Sequence, residues 1–252
     1  RHAVGPSPTA NSQQPIASVR INRALARAGV ASRRGADELI AAGRVLVNGA
    51  LPSVGQDVEP GRDVITVDGK PIGPAVKNKW IVLNKPSGVM TTRSDPQGRR
   101  TVFELVQDIP GLTYVGRLDY MTEGVLLLTT DGEAANALTH PSNEVERTYV
   151  ATVRGNAAEA LRAARRGVEL EDGVVKPIDV AARPLGNRLW EFEVTIAEGR
   201  TREVRRLCAA LDLAVERLVR TRFGPVKLGR LPPGKTRELT SKERDIIQAL
   251  AR

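Results

Sequence analysis

The sequence contains few of the residue types that build the commonest functional sites. It has one cysteine, Cys208, and two histidines, one of which is His2. A single cysteine forms no intramolecular disulfide, which indicates a reducing compartment, the cytoplasm. The chain has no Cys/His cluster, no Walker loop and no GxGxxG, so we expect neither a metal site nor a cofactor. Its chemistry must then use carboxylate, phenol, hydroxyl and cationic groups.

Aromatic residues and long apolar runs are also scarce. Aromatics make up 3% of the chain, which argues against a nucleic-acid surface built on stacked rings. No apolar run approaches the ~20 residues needed to span a bilayer, so we expect no membrane association. Residues 1–17 are rich in proline and polar residues and lack the apolar segment of a signal peptide, which predicts a disordered tail.

Positive charge is abundant. The 252 residues include 38 Lys and Arg against 29 Asp and Glu, a net charge of +9. This balance suggests a polyanionic partner, although a merely soluble basic protein is the simpler alternative. A hydrophobic content of 41% supports a real core, and the length allows one large domain or a small domain followed by a medium one.

The chain divides near residues 73–78, which we predict to be a linker. In the first block, residues 18–72, apolar residues recur at helical spacing from 21 to 29, ending at a glycine. A second helix is predicted from 32 to 42 because Ser32 is a suitable N-cap. Strands are predicted at 45–49 and 63–67.

Arginines cluster in this first block. Arg33 and Arg34 occupy the first turn of the second predicted helix, where the helix dipole disfavours cations. A solvated helix face is the usual explanation for an arginine stripe, but this unfavourable placement favours a face that binds phosphate. The arginines assigned to this face are Arg20, Arg23, Arg27, Arg33, Arg34 and Arg44.

The second block, residues 79–252, shows no repeated βαβ rhythm. The run 188–197 alternates polar and apolar residues as a half-buried strand does, which favours an antiparallel sheet. The sequence therefore predicts an α+β fold, with a largely antiparallel mixed sheet and flanking helices. Further strands are predicted at 80–83, 124–130, 147–153 and 226–228, and helices at 133–138, 157–167, 201–211 and 241–251.

The segment GRLDYMTEGV, residues 116–125, places one acid in a glycine-bracketed turn before an apolar run. A carboxylate held there, Asp119, could lie at the floor of a cleft, or could be an ordinary turn residue paired with Arg117. If the segment were helical, Asp119 and Glu123 would lie together as in a glycosidase. The flanking glycines favour a loop, which weakens that interpretation.

The longer run GRLDYMTEGVLLLTTDG, residues 116–132, resembles the signature GRLDxxTEGLLLLTNDG of the bacterial ribosomal RNA pseudouridine synthases. It departs from the signature at Val125 and Thr130. The resemblance implies that Asp119 is a catalytic aspartate and that uridine is isomerised by breaking N1–C1′ and forming C5–C1′, without a cofactor. Attack on the sugar, attack on the base and a glycal-like intermediate all stay open.

Two further segments resemble the same family. The stretch 140–149 is similar to HPSxExxRxY, which implies that Tyr149 packs on the target base and assists proton removal; an ordinary strand tyrosine is the alternative. The stretch 198–207 is similar to EGRNREVRRL, with Thr201 in place of Asn. By position, Arg205 matches the basic residue that pairs with the catalytic aspartate, and Arg202 and Arg206 are then expected to meet RNA.

The remaining resemblances concern RNA binding. Residues 18–68 resemble the S4 module, a helix–helix–strand unit that grips structured RNA. The elements KPxG and TTRSDPxGR add Lys85 and Arg93 as expected RNA contacts, together with Arg117. The implied partner is ribosomal RNA or a partly assembled subunit, with wording closest to the enzymes that act on the 23S RNA of the large subunit. The resemblance also implies a monomer with no obligate protein partner.

Two other classes of function compete with this interpretation. One is a non-catalytic S4-type RNA-binding or ribosome-assembly protein, against which the matches at Asp119, Tyr149 and Arg205 argue. The other is a glycoside hydrolase using Asp119 and Glu123, which would need a sugar groove lined with more aromatic residues than this chain has.

Overall fold

The computed structural model describes residues 18–74 and 78–251. The tail expected at 1–17 and the centre of the expected linker, 75–77, lie outside the described residues. The chain divides between Lys77 and Asn78 into two compact units. Each unit is built around its own buried core.

The first unit is a pair of short helices beside small antiparallel sheets. Ser32 caps the second helix as predicted, its Oγ accepting a hydrogen bond from the Gly35 amide at 3.1 Å. Strands β2, β4 and β5 form one sheet and β1 pairs with β3. The elements are β1 (Val19–Arg20), α1 (Ile21–Arg27), α2 (Arg33–Ala41), β2 (Val45–Val47), β3 (Asp57–Val58), β4 (Ile65–Val67) and β5 (Lys70–Pro71).

The second unit is an α+β fold, as predicted. Two short 3-10 helices, Val102–Leu105 and Pro141–Asn143, join its main elements. These are β6 (Trp80–Lys85), β7 (Thr113–Val115), β8 (Thr122–Thr129), α3 (Gly132–Thr139), β9 (Arg147–Arg154), α4 (Ala157–Arg166), β10 (Val168–Leu170), β11 (Gly173–Val175), β12 (Asp179–Gly186), β13 (Leu189–Ile196), α5 (Glu203–Ala210), β14 (Ala214–Phe223), β15 (Val226–Lys227), β16 (Thr236–Glu238) and α6 (Ser241–Leu250).

A nine-stranded sheet organises this unit. Its main path runs β12-β13-β9-β14-β8-β6-β16, with β15 added to β14 and β7 to β8. Every pairing in it is antiparallel except that of β14 with β8, which is parallel. The strand that completes the centre of the sheet, β14, was not predicted from the sequence.

The apolar run in β8 is explained by burial on both faces of the sheet. Val125 and Leu127 pack toward the cluster that contains Leu138 of α3 and Ile247 of α6. Leu126 and Leu128 pack into a second cluster with residues of the 83–118 region. All four β8 side chains are therefore fully buried, which is why the run does not alternate.

No helix in the described ranges is both long and apolar enough to cross a bilayer.

Candidate active site

A cleft of about 250 Å³ lies at the strands β9, β14 and β8. The sheet register places Thr122 beside Leu218, and Arg220 beside Tyr149. All four residues line the cleft, and Asp119 joins them from the loop that precedes β8. The structure therefore brings Asp119 and Tyr149, expected from the sequence to act together, into one cavity.

The segment 116–121, which we call the Asp119 loop, is irregular, as the glycines on either side of Asp119, Gly116 and Gly124, indicated. The Thr122 amide donates to the Asp119 carbonyl at 3.0 Å, and the Gly88 amide donates to the Tyr120 carbonyl at 2.9 Å. Hydrogen bonds from outside the loop thus fix its backbone, and a fixed backbone holds the Asp119 carboxylate in place.

Lys85 contributes most to this anchoring. Its Nζ donates to the carbonyls of Tyr120 at 3.2 Å, Thr122 at 2.8 Å and Pro86 at 3.0 Å. The side chain is 0% exposed, and burial lowers the pKa of Lys85 to about 8. The structure gives no support to the RNA contact expected of Lys85, because its Nζ is buried and donates to three backbone carbonyls beneath the surface.

The cations beside Asp119 differ from the expected arrangement. It is Arg202 whose Nη1 lies 3.9 Å from Asp119 Oδ2. Arg205, expected to pair with Asp119, instead donates through Nη2 to the Met121 carbonyl at 3.2 Å. Burial lowers the pKa of Arg205, and the nearby Asp119 charge opposes that shift. The Arg205 guanidinium is therefore held by the backbone of the Asp119 loop. Its interaction with Asp119 is an electrostatic attraction between the two charges.

Glu203 organises the part of the cleft lining formed by residues 198–205, and the sequence did not point to it. Its Oε2 accepts hydrogen bonds from the amides of Gly199 and Arg200, both at 2.9 Å. The residue is buried, and burial raises the pKa of its carboxyl. Glu203 thus holds the turn at Gly199 and Arg200, which precedes Arg202 and Arg205 in the cleft lining.

Arg220 is a second cleft residue that the sequence analysis missed. It is 2% exposed, its Nε donates to the Val125 carbonyl at 2.8 Å, and its Nη1 lies 3.4 Å from the Tyr149 hydroxyl. Within the described ranges, its Nη2 and the Thr122 hydroxyl are buried without a hydrogen-bond partner. Buried polar groups are normally paired, so these two unpaired groups, like Nε of Arg205, mark the cleft as a site whose polar atoms are not all satisfied within the described protein.

Glu123 is paired through its carboxylate with an arginine of β14. Its carboxylate accepts from Arg217 Nε at 3.0 Å and Nη2 at 2.8 Å, and this pairing lowers the pKa of Glu123. A glycosidase acid needs a raised pKa to donate its proton. The structure therefore gives no support to a glycosidase pair of Asp119 and Glu123.

The other arginines of the second unit that were expected to contact RNA differ in whether they have partners within the protein. Arg117 is exposed and lines the cleft. Arg206 donates to Asp172 at 2.8 Å, and the Arg93 guanidinium lies 4.1 Å from the centre of the Phe103 ring. Arg117 is thus open to a partner, whereas Arg206 and Arg93 have partners within the protein.

In the first unit, Arg33 and Arg34 are exposed in the first turn of α2. Arg44 donates to Asp68 at 2.9 and 2.5 Å, and Arg20 lies 3.4 Å from Asp57. Arg23 and Arg27 lie on α1. Arg33 and Arg34 are thus exposed at the start of α2 and stay predicted phosphate contacts.

The described residues offer neither a metal site nor a reactive thiol. Among residues 18–74 and 78–251, no group of three or more His, Cys, Asp or Glu side chains is arranged to hold a metal ion. Cys208 is buried, and burial raises the pKa of its thiol to about 12. A thiol with that pKa is a poor nucleophile.

The second unit is an α+β domain with a cleft at strands β9, β14 and β8, and comparisons with known proteins name its family. Residues 79–210 match the RNA pseudouridylate synthase family and residues 19–64 match the S4 domain. The chain belongs to the RNA pseudouridylate synthase family, with an S4 domain ahead of the catalytic domain. The fold class and the family expected from the sequence are thereby confirmed.

Relatives of known sequence or structure agree. The chain is 46% identical over 229 residues to a protein of Aquifex aeolicus described as an uncharacterized RNA pseudouridine synthase, covering 89% of this chain and 92% of that protein. It is 44% identical to ribosomal large subunit pseudouridine synthase B of Pseudomonas aeruginosa, covering 90% of this chain but only 61% of that enzyme. A crystal structure of a pseudouridylate synthase superposes with a TM-score of 0.59 at 28% identity, covering 92% of this chain and 100% of that one.

Proposed function

We propose that the protein isomerises a specific uridine of the large-subunit ribosomal RNA to pseudouridine, with Asp119 as the catalytic carboxylate and no cofactor. The observation that carries this is the cleft in which Asp119, Tyr149 and Arg205 meet. Similarity to enzymes described as ribosomal large subunit pseudouridine synthase B supports the choice of substrate.

In this reaction the N1–C1′ bond breaks, the uracil turns, and a C5–C1′ bond forms. The C5 proton leaves and N1 ends protonated, so the reaction is redox-neutral and needs no other reactant. Asp119 acts on the ribose or base at the bond that breaks. Tyr149 packs against the uracil and assists removal of the C5 proton, while the positive charges of Arg202 and Arg205 lie beside the carboxylate of Asp119.

The target uridine must leave the RNA stack to reach this cleft. Extrusion of a base costs a few kcal/mol. Contacts with Tyr149 and with the exposed Arg117 and Arg202 offset that cost. The S4 unit supplies additional phosphate contacts, through Arg33 and Arg34, that hold the RNA while the base is extruded.

The deciding experiment maps pseudouridine by carbodiimide labelling and primer extension on unmodified 16S and 23S transcripts. We expect one new stop in 23S RNA with wild-type protein and none with Asp119→Asn. Asp108→Asn, which removes the same charge from an exposed site of this unit, should retain the stop. A stop that persists with Asp119→Asn would contradict the role of Asp119, and a stop only in 16S RNA would contradict the proposed subunit.

The role of Tyr149 has a separate test on the same transcript. We expect Tyr149→Phe to reduce turnover and Tyr149→Ala to reduce it further, because the phenylalanine retains the packing surface and lacks the hydroxyl. Unchanged turnover in both variants would remove Tyr149 from the mechanism.

A further inference from the structure

Tyr120 is an unusual aromatic residue in this chain. The sequence has two tryptophans, three tyrosines and three phenylalanines, and all of them lie within the described range 78–251. Tyr120 is the one classed as exposed, at 39%. It directly follows Asp119, so the only well-exposed ring of the catalytic unit stands beside the proposed catalytic carboxylate.

The backbone beneath this ring is held firmly. The Tyr120 carbonyl accepts from Lys85 Nζ and from the Gly88 amide. The next residue, Met121, is 57% exposed, yet its carbonyl accepts from Arg205 and its Sδ lies 3.6 Å from the Ser87 hydroxyl. A ring and a thioether on a fixed backbone lose little conformational entropy when a ligand covers them.

The ring itself is supported by an arginine. The Arg99 guanidinium lies 5.7 Å from the centre of the Tyr120 ring. Arg99 is in turn fixed by Asp95, which accepts from its Nε at 3.0 Å and its Nη2 at 2.8 Å. The side chain of Asp95 is 4% exposed, and the pairing lowers the pKa of Asp95 to about 2. The ion pair therefore holds the guanidinium against the ring throughout the physiological pH range.

We propose that Tyr120, with Met121 and Arg99, forms a stacking platform for an unpaired RNA base that neighbours the target uridine. Unpaired bases stack on tyrosine rings and arginine planes whatever their identity. Extrusion of the uridine leaves its neighbours without a stacking partner, and an exposed ring next to Asp119 can replace the lost contact. The proposal deepens the proposed function, on which it rests, by naming a residue that binds the flanking nucleotide.

The test measures affinity separately from chemistry. In an Asp119→Asn background, filter binding of the full chain to an unmodified 23S transcript should weaken about tenfold on Tyr120→Ala, the typical loss of one base–aromatic stack. Tyr120→Phe keeps the ring and should recover most of the affinity. Leu185→Ala is the matched control, because Leu185 is an exposed apolar residue, at 45%, on the edge strand β12, which lies four strands from β8 in the sheet.

A double-mutant cycle identifies the partner. Once the target uridine is mapped, transcripts with an abasic site at the preceding or following nucleotide are compared in wild-type and Tyr120→Ala protein. We expect the loss of affinity caused by Tyr120→Ala and the loss caused by the abasic site to be non-additive for one of the two flanking nucleotides. Each change then removes the same stacking contact. In steady-state kinetics of pseudouridine formation, Tyr120→Ala should raise KM with little change in kcat.

Three results would overturn the platform. The first is unchanged RNA affinity for Tyr120→Ala. The second is full additivity of the affinity losses from Tyr120→Ala and from the abasic site at both flanking nucleotides. The third is a loss of affinity seen only with partly assembled subunits, which would assign Tyr120 to a protein contact. If Tyr120→Ala weakens binding but wild-type protein forms no pseudouridine, Tyr120 still contacts RNA and the proposed function fails instead. If pseudouridine forms and Tyr120→Ala binds normally, only the platform fails.

Discussion

Lys85 shows how one buried donor can fix the backbone on either side of Asp119. Replacing it with methionine leaves the carbonyls of Pro86, Tyr120 and Thr122 without its hydrogen bonds. Each buried group left unpaired costs ~1–3 kcal/mol, so we expect Lys85→Met to lower the free energy of unfolding by about 3 kcal/mol or more. Urea titration measures this change, and Lys242→Met, at an exposed site in α6, should leave stability nearly unchanged.

The lowered pKa of Lys85 gives the same residue a pH signature. Folding lowers the pKa of Lys85 from its ordinary value of 10.5 to about 8, so between these values the unfolded chain binds a proton that the folded chain releases. The Lys85 contribution to the free energy of unfolding should therefore rise with pH across that window and stay flat below it. The difference in stability between wild type and Lys85→Met should follow this pattern. A difference independent of pH up to 10.5 would contradict the shift.

At the scale of secondary structure, the contact of β8 with β14 depends on one glycine. A Cβ built on Gly124 would lie 2.2 Å from the Arg220 carbonyl oxygen, and the Gly124 φ of +107° is one that L side chains rarely adopt. Gly124→Ala must push the two strands apart, so we expect a loss of about 3 kcal/mol or more in stability. Thr122 and Arg220 would then shift from the cleft.

Gly132→Ala provides the control for this prediction. A Cβ at Gly132 meets nothing within 4 Å, and the residue begins α3, where alanine is preferred to glycine by up to ~1 kcal/mol. Thermal unfolding should show the two alanine variants moving in opposite directions. Equal stability of Gly124→Ala and wild type would mean that the two strands can separate at little cost.

The same strands show what the sequence could and could not predict. β13 was predicted because its alternation is regular, and Phe192, Val194 and Ile196 are buried as expected. β14 was missed because register shifts occur between Val215 and Arg217 and between Arg220 and Arg222. Each shift interrupts the two-residue period on which strand prediction depends.

The site was predictable to a similar degree. Asp119 and Tyr149 were found through local motifs, and the structure places both in one cleft. Arg220 lies 71 residues beyond Tyr149 and meets it only through the pairing of β14 with β9. Arg202 lies in the place beside Asp119 that was expected of Arg205, whose guanidinium donates to the Met121 carbonyl instead. Such contacts between distant segments leave no periodic signal in a sequence.

For the whole molecule, the net charge of +9 predicts salt-sensitive binding to RNA. Each phosphate contact contributes ~0.7–0.9 to the slope of log K against log salt concentration. We expect the double substitution Arg33→Gln and Arg34→Gln to flatten this slope by about 1.5, because each removed charge forfeits one phosphate contact. Arg165→Gln with Arg166→Gln changes charge equally at the exposed end of α4 and should leave the slope unchanged. Equal slopes for all three proteins would contradict a phosphate-binding role for the start of α2.

The single buried thiol has a practical consequence. Cys208 lies on α5, the helix that also carries Glu203 and Arg205, and it is 0% exposed with a pKa of about 12. An alkylating reagent can then reach it only when this helix detaches or the unit unfolds. The rate of alkylation of the unmodified chain therefore reports how often this wall of the cleft opens. A substrate RNA that binds the same wall should slow that rate, so alkylation of Cys208 can follow RNA binding without an introduced probe.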